Sequence, residues 1–235
     1  MPAYTSWQLA GLPLYLLLGL PVIALNCWAI TCIKRAKILT KNRFFYLIIV
    51  LAASDITVAV NYMAYAVYRS LLYYGQLSIA VPSAACYTFN LLFTIGDNAQ
   101  ELAMLAIAIE RIYAVGWPIQ YRTNGGVAVS AMIGVVVVTS GSIGLIGYAA
   151  FFGAVDPATM LAPCLQTLAG AAGFWVFWTQ FRNGVFVLTL AVYVAIPFVA
   201  RRATRKYLSQ TYLWPVLHRR DACCLGYDIA SKDLL

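Results

Sequence analysis

Residues 110–121 read Glu110-Arg111-Ile112-Tyr113-Ala114-Val115-Gly116-Trp117-Pro118-Ile119-Gln120-Tyr121 and follow a long apolar segment that begins near Cys86. An acid and an arginine therefore stand side by side where a membrane helix is expected to leave the bilayer. An arginine in hydrocarbon costs roughly 2.5–3.5 kcal/mol on insertion scales, so Arg111 must reach the interface, pair with Glu110 or find another partner. Pro118 is expected to end the helix, because it has no backbone N–H to donate. Taken alone, the Glu-Arg pair also fits an interfacial arginine in a positive-inside loop.

The composition of the whole chain predicts a membrane protein. Of its 235 residues, 63% are hydrophobic and only 10% are charged, and the mean hydropathy is +0.79. A soluble domain of this length carries more charge, whereas long apolar runs are typical of transmembrane helices. We therefore predict an all-α, polytopic transmembrane helix bundle.

The formal charge of +8 is explained by membrane topology. The basic residues lie in short clusters between apolar runs and form no stripe with stacking aromatics, so no nucleic-acid partner is expected. His218 is the only histidine, which argues against histidine-based zinc or haem sites and against Ser-His-Asp chemistry. The sequence also has no phosphate-binding loop and no metal-ligand cluster. We do not expect an enzyme.

Five apolar segments are expected to span the bilayer, at about Trp7–Ile33, Phe44–Val67, Ser83–Val115, Val127–Phe152 and Trp175–Val199. Basic residues between positions 34 and 43 make the first loop cytoplasmic and the N-terminus extracellular. A turn at residues 123–126 is expected to lead into the fourth segment. Residues 161–178 are apolar enough for a further span, but that topology would put the basic cluster at residues 201–206 outside. We therefore predict a loop there.

Polar residues inside the predicted spans mark candidate functional positions. Asp55 lies about midway through the second segment, and intramembrane acids are functional by default. Asn26 in the first segment could hydrogen-bond toward Asp55, although such a pair could also serve only helix packing. The third segment has polar residues that recur at i+3 and i+4 and so share one broad helical face. This face must look into the bundle. That face comprises Phe93, Asp97, Gln100, Glu101, Met104 and Ala108.

The sequence around Arg111 resembles the segment that closes the third helix of rhodopsin-like (class A) G-protein-coupled receptors. The matching positions are Glu110, Arg111, Ala114, Val115, Pro118 and Tyr121. Those receptors also carry a cysteine 25 residues before the arginine, where Cys86 stands, and Leu51-Ala52-Ala53-Ser54-Asp55 is similar to their second-helix signature. The tryptophan usual in their fourth helix is absent, which favours a divergent branch such as the nematode serpentine chemoreceptors.

The resemblance implies roles for five of these residues at the inner end and in the middle of the bundle. Glu110 and Arg111 would form the ionic lock and the G-protein coupling site. Asn26, Asp55 and Gln100 would form a polar network that holds a sodium ion near Asp55, and no other cofactor is expected.

The resemblance also implies a ligand pocket and a disulfide. Phe93 and Asp97 fall where the family lines its pocket for a small-molecule or peptide ligand. Asp97 would suit a cationic ligand, or it could form an internal hydrogen-bonded acid pair with Glu101. The family's common amine-binding acid would stand at Phe93, which disfavours a biogenic amine. Cys164 is the candidate to bridge Cys86 in an oxidising compartment, the alternative being two unpaired thiols.

The C-terminal residues do not fit the resemblance, which covers about Leu9 to Lys206. Residues 211–235 contain neither the sixth-helix nor the seventh-helix motif of the family. We therefore expect a receptor-like domain with helices one to five over residues 1–206, and a cytoplasmic tail outside the fold over residues 207–235. Cys223 and Cys224 are either palmitoylated or without a role.

Three functional classes remain. The first is a rhodopsin-like chemoreceptor of the plasma membrane that signals to a heterotrimeric G protein, here in a form truncated after the fifth helix. The second is a non-signalling membrane protein that dimerises with full-length receptors. The third is a transporter or intramembrane enzyme built on Asp55, Asp97 and Glu101, against which the chain shows no inverted repeat.

Overall fold

The computed structural model describes residues 6–36, 44–74, 83–154 and 172–224. All regular secondary structure in these ranges is helical. The helices are α1 (Ser6–Arg35), α2 (Phe44–Tyr74), α3 (Ser83–Gly116), α4 (Pro118–Ala154) and α5 (Ala172–Cys224). The all-α prediction is confirmed.

The helices have the length and surface of membrane spans. Within the described ranges, five helices are long and apolar enough to cross a bilayer. Large apolar side chains point outward from them, with Leu17 69% exposed, Val127 72% and Phe198 65%. A helix satisfies its own backbone hydrogen bonds and can therefore stand in lipid. An apolar helix surface is favourable against lipid and unfavourable against water. The chain is a multi-pass membrane protein.

Helix α3 lies at the centre of the bundle and packs against α2, α4 and α5, while α1 packs mainly against α2. Two buried clusters join these helices. The cluster between α2, α3 and α4 is built on Leu47, Ala106, Val129 and Val136. The cluster between α3, α4 and α5 is built on Phe93, Ile143, Phe174 and Trp178. The polar face of α3 therefore points into the bundle, as its periodicity predicts.

Small residues of α4 permit close contact with α3 at one position. A Cβ atom added to Gly144 would lie 2.6 Å from Cγ1 of Ile95, which is closer than real Cβ atoms approach. At Gly134 and Gly141 an added Cβ atom would meet nothing within 4 Å. The small residues of the fourth segment thus serve helix packing at Gly144, whereas Gly134 and Gly141 face away from the described helices.

A single residue separates α3 from α4. The amide of Trp117 donates to the Tyr113 carbonyl at 3.0 Å, and the carbonyl of Trp117 accepts from the Tyr121 amide at 2.9 Å. Trp117 thereby ends one hydrogen-bond ladder and begins the next. Pro118 occupies the first position of α4, where its missing N–H and fixed φ cost nothing. Pro118 ends α3 as predicted, and it also begins the following helix.

The predicted turn at residues 123–126 is wrong, because these residues are helical within α4. Asn-Gly sequences favour turns in isolation. Here Pro118 has already started a helix, and a helix supplies backbone partners that an open turn in the membrane boundary would lack. The hydroxyl of Thr123 donates to the Gln120 carbonyl at 3.0 Å within the same helix.

The other helix ends differ from the predictions mainly in length. Helix α5 begins close to the predicted Trp175 and continues beyond Val199 to Cys224. It crosses the proposed domain boundary at Lys206, and the division itself stays a prediction. The predicted loop before α5 lies outside the described residues as far as position 171, and it is wrong for residues 172–174, which already belong to the helix.

Candidate functional site

The C-terminal end of α3 holds a buried acid beside a half-exposed arginine. Glu110 is 1% exposed, and its Oε1 accepts a hydrogen bond from the hydroxyl of Tyr121 on α4. The Nε atom of Arg111 lies 3.5 Å from Oε2 of Glu110, and the Arg111 side chain is 46% exposed. The acid is therefore shared between a tyrosine and an arginine, and the arginine remains accessible at the membrane boundary.

Arg111 also contacts α2. Its guanidinium carbon lies 3.5 Å from the centroid of the Phe44 ring, and Phe44 is the first residue of that helix. A guanidinium over an aromatic face is attracted by the ring quadrupole. Arg111 is thus held by two helices at the same end of the bundle.

Farther into the membrane, α3 and α5 are joined by a charge triad of Asp97, Glu101 and Arg182. The Nε atom of Arg182 lies 2.9 Å from Oδ2 of Asp97, and its Nη2 donates to Oε1 of Glu101 at 3.3 Å. Asp97 and Glu101 are four residues apart and so share one face of α3. The Arg182 guanidinium also lies 4.9 Å from the Trp178 ring.

Arg182 is the residue that sequence reasoning missed. Both interpretations of Asp97, as a ligand contact or as a partner of Glu101, left the arginine of α5 out. Two carboxylates around one guanidinium leave the triad with a formal charge of minus one when all three groups are ionised. Charges at membrane depth are costly unless paired, so an arginine in an apolar segment is itself a signal for a buried acid partner.

Aromatic rings pack beside the triad, toward the N-terminal end of α3. Phe93 is 3% exposed and lies one turn from Asp97 on α3. Its ring makes edge contacts with Tyr62 at 5.0 Å and with Trp178 at 6.2 Å. Tyr62 in turn stacks on Tyr15 at 5.1 Å. The two predicted pocket residues are thus near each other, between α2, α3 and α5.

A cavity of about 290 Å³ opens between α1, α2 and α3. Asp55 and Gln100 both line it, together with Tyr15 and Tyr62. The Oδ1 atom of Asp55 is buried and has no hydrogen-bond partner among the described residues. The Asn26 amide lies beside the Asp55 carboxyl and interacts with it, while its Nδ2 donates to the Val22 carbonyl at 3.0 Å. The three predicted polar residues therefore belong to one neighbourhood.

The cysteine predictions fall on parts of the chain that are not described in full. Cys86 lies in the first turn of α3, but its side chain is outside the described residues, as is the whole of Cys164. Their disulfide stays a prediction. Cys223 and Cys224 end α5, and the structure describes their backbone only.

A bundle of membrane helices whose central helix ends in a buried acid and an accessible arginine is consistent with the class of G-protein-coupled receptors. The chain belongs to the Srsx family, described as serpentine type 7TM GPCR chemoreceptors, which it matches over residues 22–219. The family consists of receptors and not of enzymes. The resemblance to a nematode-type serpentine receptor is confirmed.

Two curated nematode proteins are similar to part of the chain. The Dopamine receptor 3 of Caenorhabditis elegans is 32% identical over 97 residues, which cover 41% of this chain and 16% of that receptor. The Dopamine receptor 3 of Caenorhabditis briggsae is 33% identical over 92 residues, covering 39% of this chain and 15% of that receptor. The chain thus spans less than a fifth of the length of these relatives.

Proposed function

We propose that the chain acts as a chemosensory receptor of the plasma membrane that binds a small organic molecule between α3 and α5 and signals to a heterotrimeric G protein. In this proposal the N-terminus is extracellular. Basic residues support that orientation, because Lys34 and Arg35 end α1 while Arg201 and Arg202 lie near the same side of the bundle on α5. Clusters of this kind stay in the cytoplasm.

The observation that carries the proposal is the ion pair of Asp97 on α3 with Arg182 on α5, at 2.9 Å. The same α3 carries Arg111 fourteen residues farther on, about 21 Å along the helix axis at about 1.5 Å per residue. A ligand that disturbs the triad changes how α5 packs on α3. Since α3 is one continuous helix, this change reaches the end that holds Arg111.

The triad restricts the chemistry of the ligand. The relatives are dopamine receptors by name, but Phe93 offers no charge and Asp97 is already paired with Arg182. An ammonium group at Asp97 would have to displace the guanidinium. We favour a ligand with an apolar body against Phe93 and Trp178, and a polar group that competes for one bond of the triad.

A sodium ion would be held by Asp55 and Gln100, which line the same cavity. The unpaired, buried Oδ1 of Asp55 is a suitable donor for a hard cation, since such ions prefer oxygen ligands. A bound cation would supply one positive charge against the Asp55 carboxylate. Asn26 beside that carboxyl would orient it.

The proposal is tested by nucleotide exchange on a panel of purified G-protein heterotrimers, with the chain reconstituted in nanodiscs. Wild-type chain should accelerate GTP analogue uptake, and Arg111→Ala should abolish the acceleration. Arg122→Ala is the matched control, because Arg122 is an exposed arginine on α4 outside the site. Equal exchange with wild-type chain, with Arg111→Ala and with empty nanodiscs would exclude G-protein coupling by this chain.

A second candidate function is association with another receptor through α4, which would modulate the partner and not signal alone. The observation in its favour is the open surface at Gly134 and Gly141, where an added Cβ atom meets nothing. Small residues permit close helix contacts in lipid. Co-purification with a tagged receptor of the same family, lost in a Gly134→Leu/Gly141→Leu variant, would support this function, and retention of the complex would contradict it.

A further inference from the structure

The cavity between α1, α2 and α3 is larger and more apolar than a single metal ion requires. Its volume is about 290 Å³, whereas one water molecule takes up about 30 Å³ of the liquid. Apolar side chains form much of its wall, among them Leu18, Val22, Val58 and Ala59. Pockets for small organic molecules combine such walls with a few placed polar groups, and this volume lies near the lower end of their range of about 300–1,000 Å³.

The α2 wall of the cavity has an acid and an aromatic ring at two different levels. Asp55, Ala59 and Tyr62 are separated by four and three residues, so they lie on one face at successive turns. Asp55 and Tyr62 are therefore about 10 Å apart along the axis, at about 1.5 Å per residue. The Tyr62 ring stacks on Tyr15 of α1, with 5.1 Å between centroids and 7° between planes. The cavity thus runs from a carboxyl group to an aromatic pair.

The carboxyl of Asp55 has an oxygen that the protein leaves unused. Asn26 interacts with this carboxyl, yet Oδ1 is buried and has no hydrogen-bond partner among the described residues. A buried polar atom without a partner is costly, and a charge at membrane depth is costly unless it is paired. An ammonium group would donate a charge-assisted hydrogen bond to Oδ1 and balance the charge at once.

We infer that the cavity binds a small organic amine, with the ammonium at Oδ1 of Asp55 and a compact apolar body against Val58 and Ala59. A metal ion would satisfy the carboxylate but make no use of the apolar walls. A neutral apolar molecule would contact the walls and leave Oδ1 unpaired. This site is separate from the ligand site proposed between α3 and α5, and its occupation requires no G protein.

The test measures the affinity of the chain in nanodiscs for benzylamine, which is a cation at neutral pH. Saturation-transfer NMR titrations give the affinity after subtraction of empty nanodiscs. Benzyl alcohol is the matched probe, because a hydroxyl replaces the amino group on the same carbon body. Wild-type chain should bind benzylamine about ten- to a hundred-fold more tightly, the effect of one charge-assisted hydrogen bond. The buffer contains potassium chloride, since a sodium ion would compete for the Asp55 carboxylate.

Two substitutions probe the two parts of the site. Asp55→Asn keeps the shape of the side chain and removes its charge, so it should weaken benzylamine binding about ten- to a hundred-fold and leave benzyl alcohol binding unchanged. Leu18→Trp narrows the cavity from α1 and should weaken the binding of both probes. Leu17→Trp is the matched control, because Leu17 is 69% exposed and lies outside the cavity lining. The tryptophan variants keep the test decisive if Asp55→Asn does not insert.

Equal affinity of the wild-type chain for the two probes would overturn the inference, because the charge of the ligand would then not matter. Benzylamine binding that survives Asp55→Asn would overturn it as well, and so would an equal loss in Leu18→Trp and Leu17→Trp. The assay contains no G protein, so the two proposals fail separately. A chain that binds benzylamine at Asp55 but promotes no nucleotide exchange removes the proposed function and leaves the amine site.

Discussion

The hydroxyl of Tyr121 donates a hydrogen bond to Oε1 of Glu110 across the one-residue break between α3 and α4. Glu110 is 1% exposed, so its carboxylate depends on protein partners for the hydrogen bonds that water cannot supply. The tyrosine connects two helices at the point where the chain changes direction.

Tyr121→Phe should therefore destabilise the bundle. Removing a donor from a buried acceptor costs about 1–3 kcal/mol. The measurement is the free energy of unfolding in mixed micelles with increasing denaturing detergent. Tyr46→Phe is the control, since the Tyr46 side chain on α2 is 50% exposed. Equal stability of the Tyr121→Phe variant and the wild-type chain would show that Glu110 does not need this donor.

Arg182→Gln should weaken the attachment of α5 to α3. Loss of hydrogen bonds to charged groups costs about 1.5–3 kcal/mol, and two carboxylates lose their cation together. The Asp97→Asn/Arg182→Gln double variant should lose less than the sum of the single variants, because it removes one of the stranded charges. A double-mutant cycle of unfolding free energies measures this coupling. Additive losses would show that the 2.9 Å ion pair contributes no coupling energy.

Gly144→Val should disturb the contact between α3 and α4. Its Cβ atom would stand 2.6 Å from Ile95 Cγ1, and overpacking of this kind costs typically about 1–3 kcal/mol. Gly141→Val provides the control at a position where an added Cβ atom meets nothing within 4 Å. Thermal unfolding of both variants in nanodiscs makes the comparison. A smaller loss in Gly144→Val than in Gly141→Val would contradict the packing described.

Epitope tags at the N-terminus and after Lys206 should lie on opposite sides of the membrane. Helices α1 and α5 are the first and last of five spans within the described ranges, and an odd number of spans separates the two tags. Antibody staining of intact and permeabilised cells gives the answer. Accessibility of both tags from one side would contradict the five-span topology.

Cys86 and Cys164 should form a disulfide on the outer side. A non-reducing peptide map should show the linked pair, which reduction then separates. Substituting either cysteine by serine should release the partner as a free thiol. Free thiols at both positions in protein taken from the cell surface would exclude the bond.

Much of the fold could be predicted because each span is a long apolar run with its own boundary signals. Pro118 stops α3 where its missing N–H requires, and the i+3 and i+4 spacing on α3 identifies the face that enters the bundle. These are local properties, and the membrane leaves few alternatives to a helix. The prediction of a turn at residues 123–126 failed because the local turn preference of these residues competes with a helix that Pro118 has already begun.

The triad could be predicted only in part, because Arg182 lies 81 residues after Glu101 in the chain. Charged side chains inside the membrane are costly, so the sequence indicated that Asp97 and Glu101 need partners. The same argument applied to Arg182 would have suggested the arginine as that partner. Which face of α5 meets α3 depends on packing around Phe174 and Trp178. The contact of Arg111 with Phe44 likewise depends on where α2 begins and on how α2 packs against α3. The sequence pattern alone does not give this packing.

The break at Trp117 has a mechanical consequence. A conventional loop of several residues would absorb a rotation of the preceding helix, whereas here one hydrogen-bond ladder follows the other after a single residue. Pro118 has a fixed φ, so it can take up little of such a rotation. We therefore expect a rotation of the C-terminal end of α3 to move the first turn of α4 with it, because only Trp117 separates the two hydrogen-bond ladders.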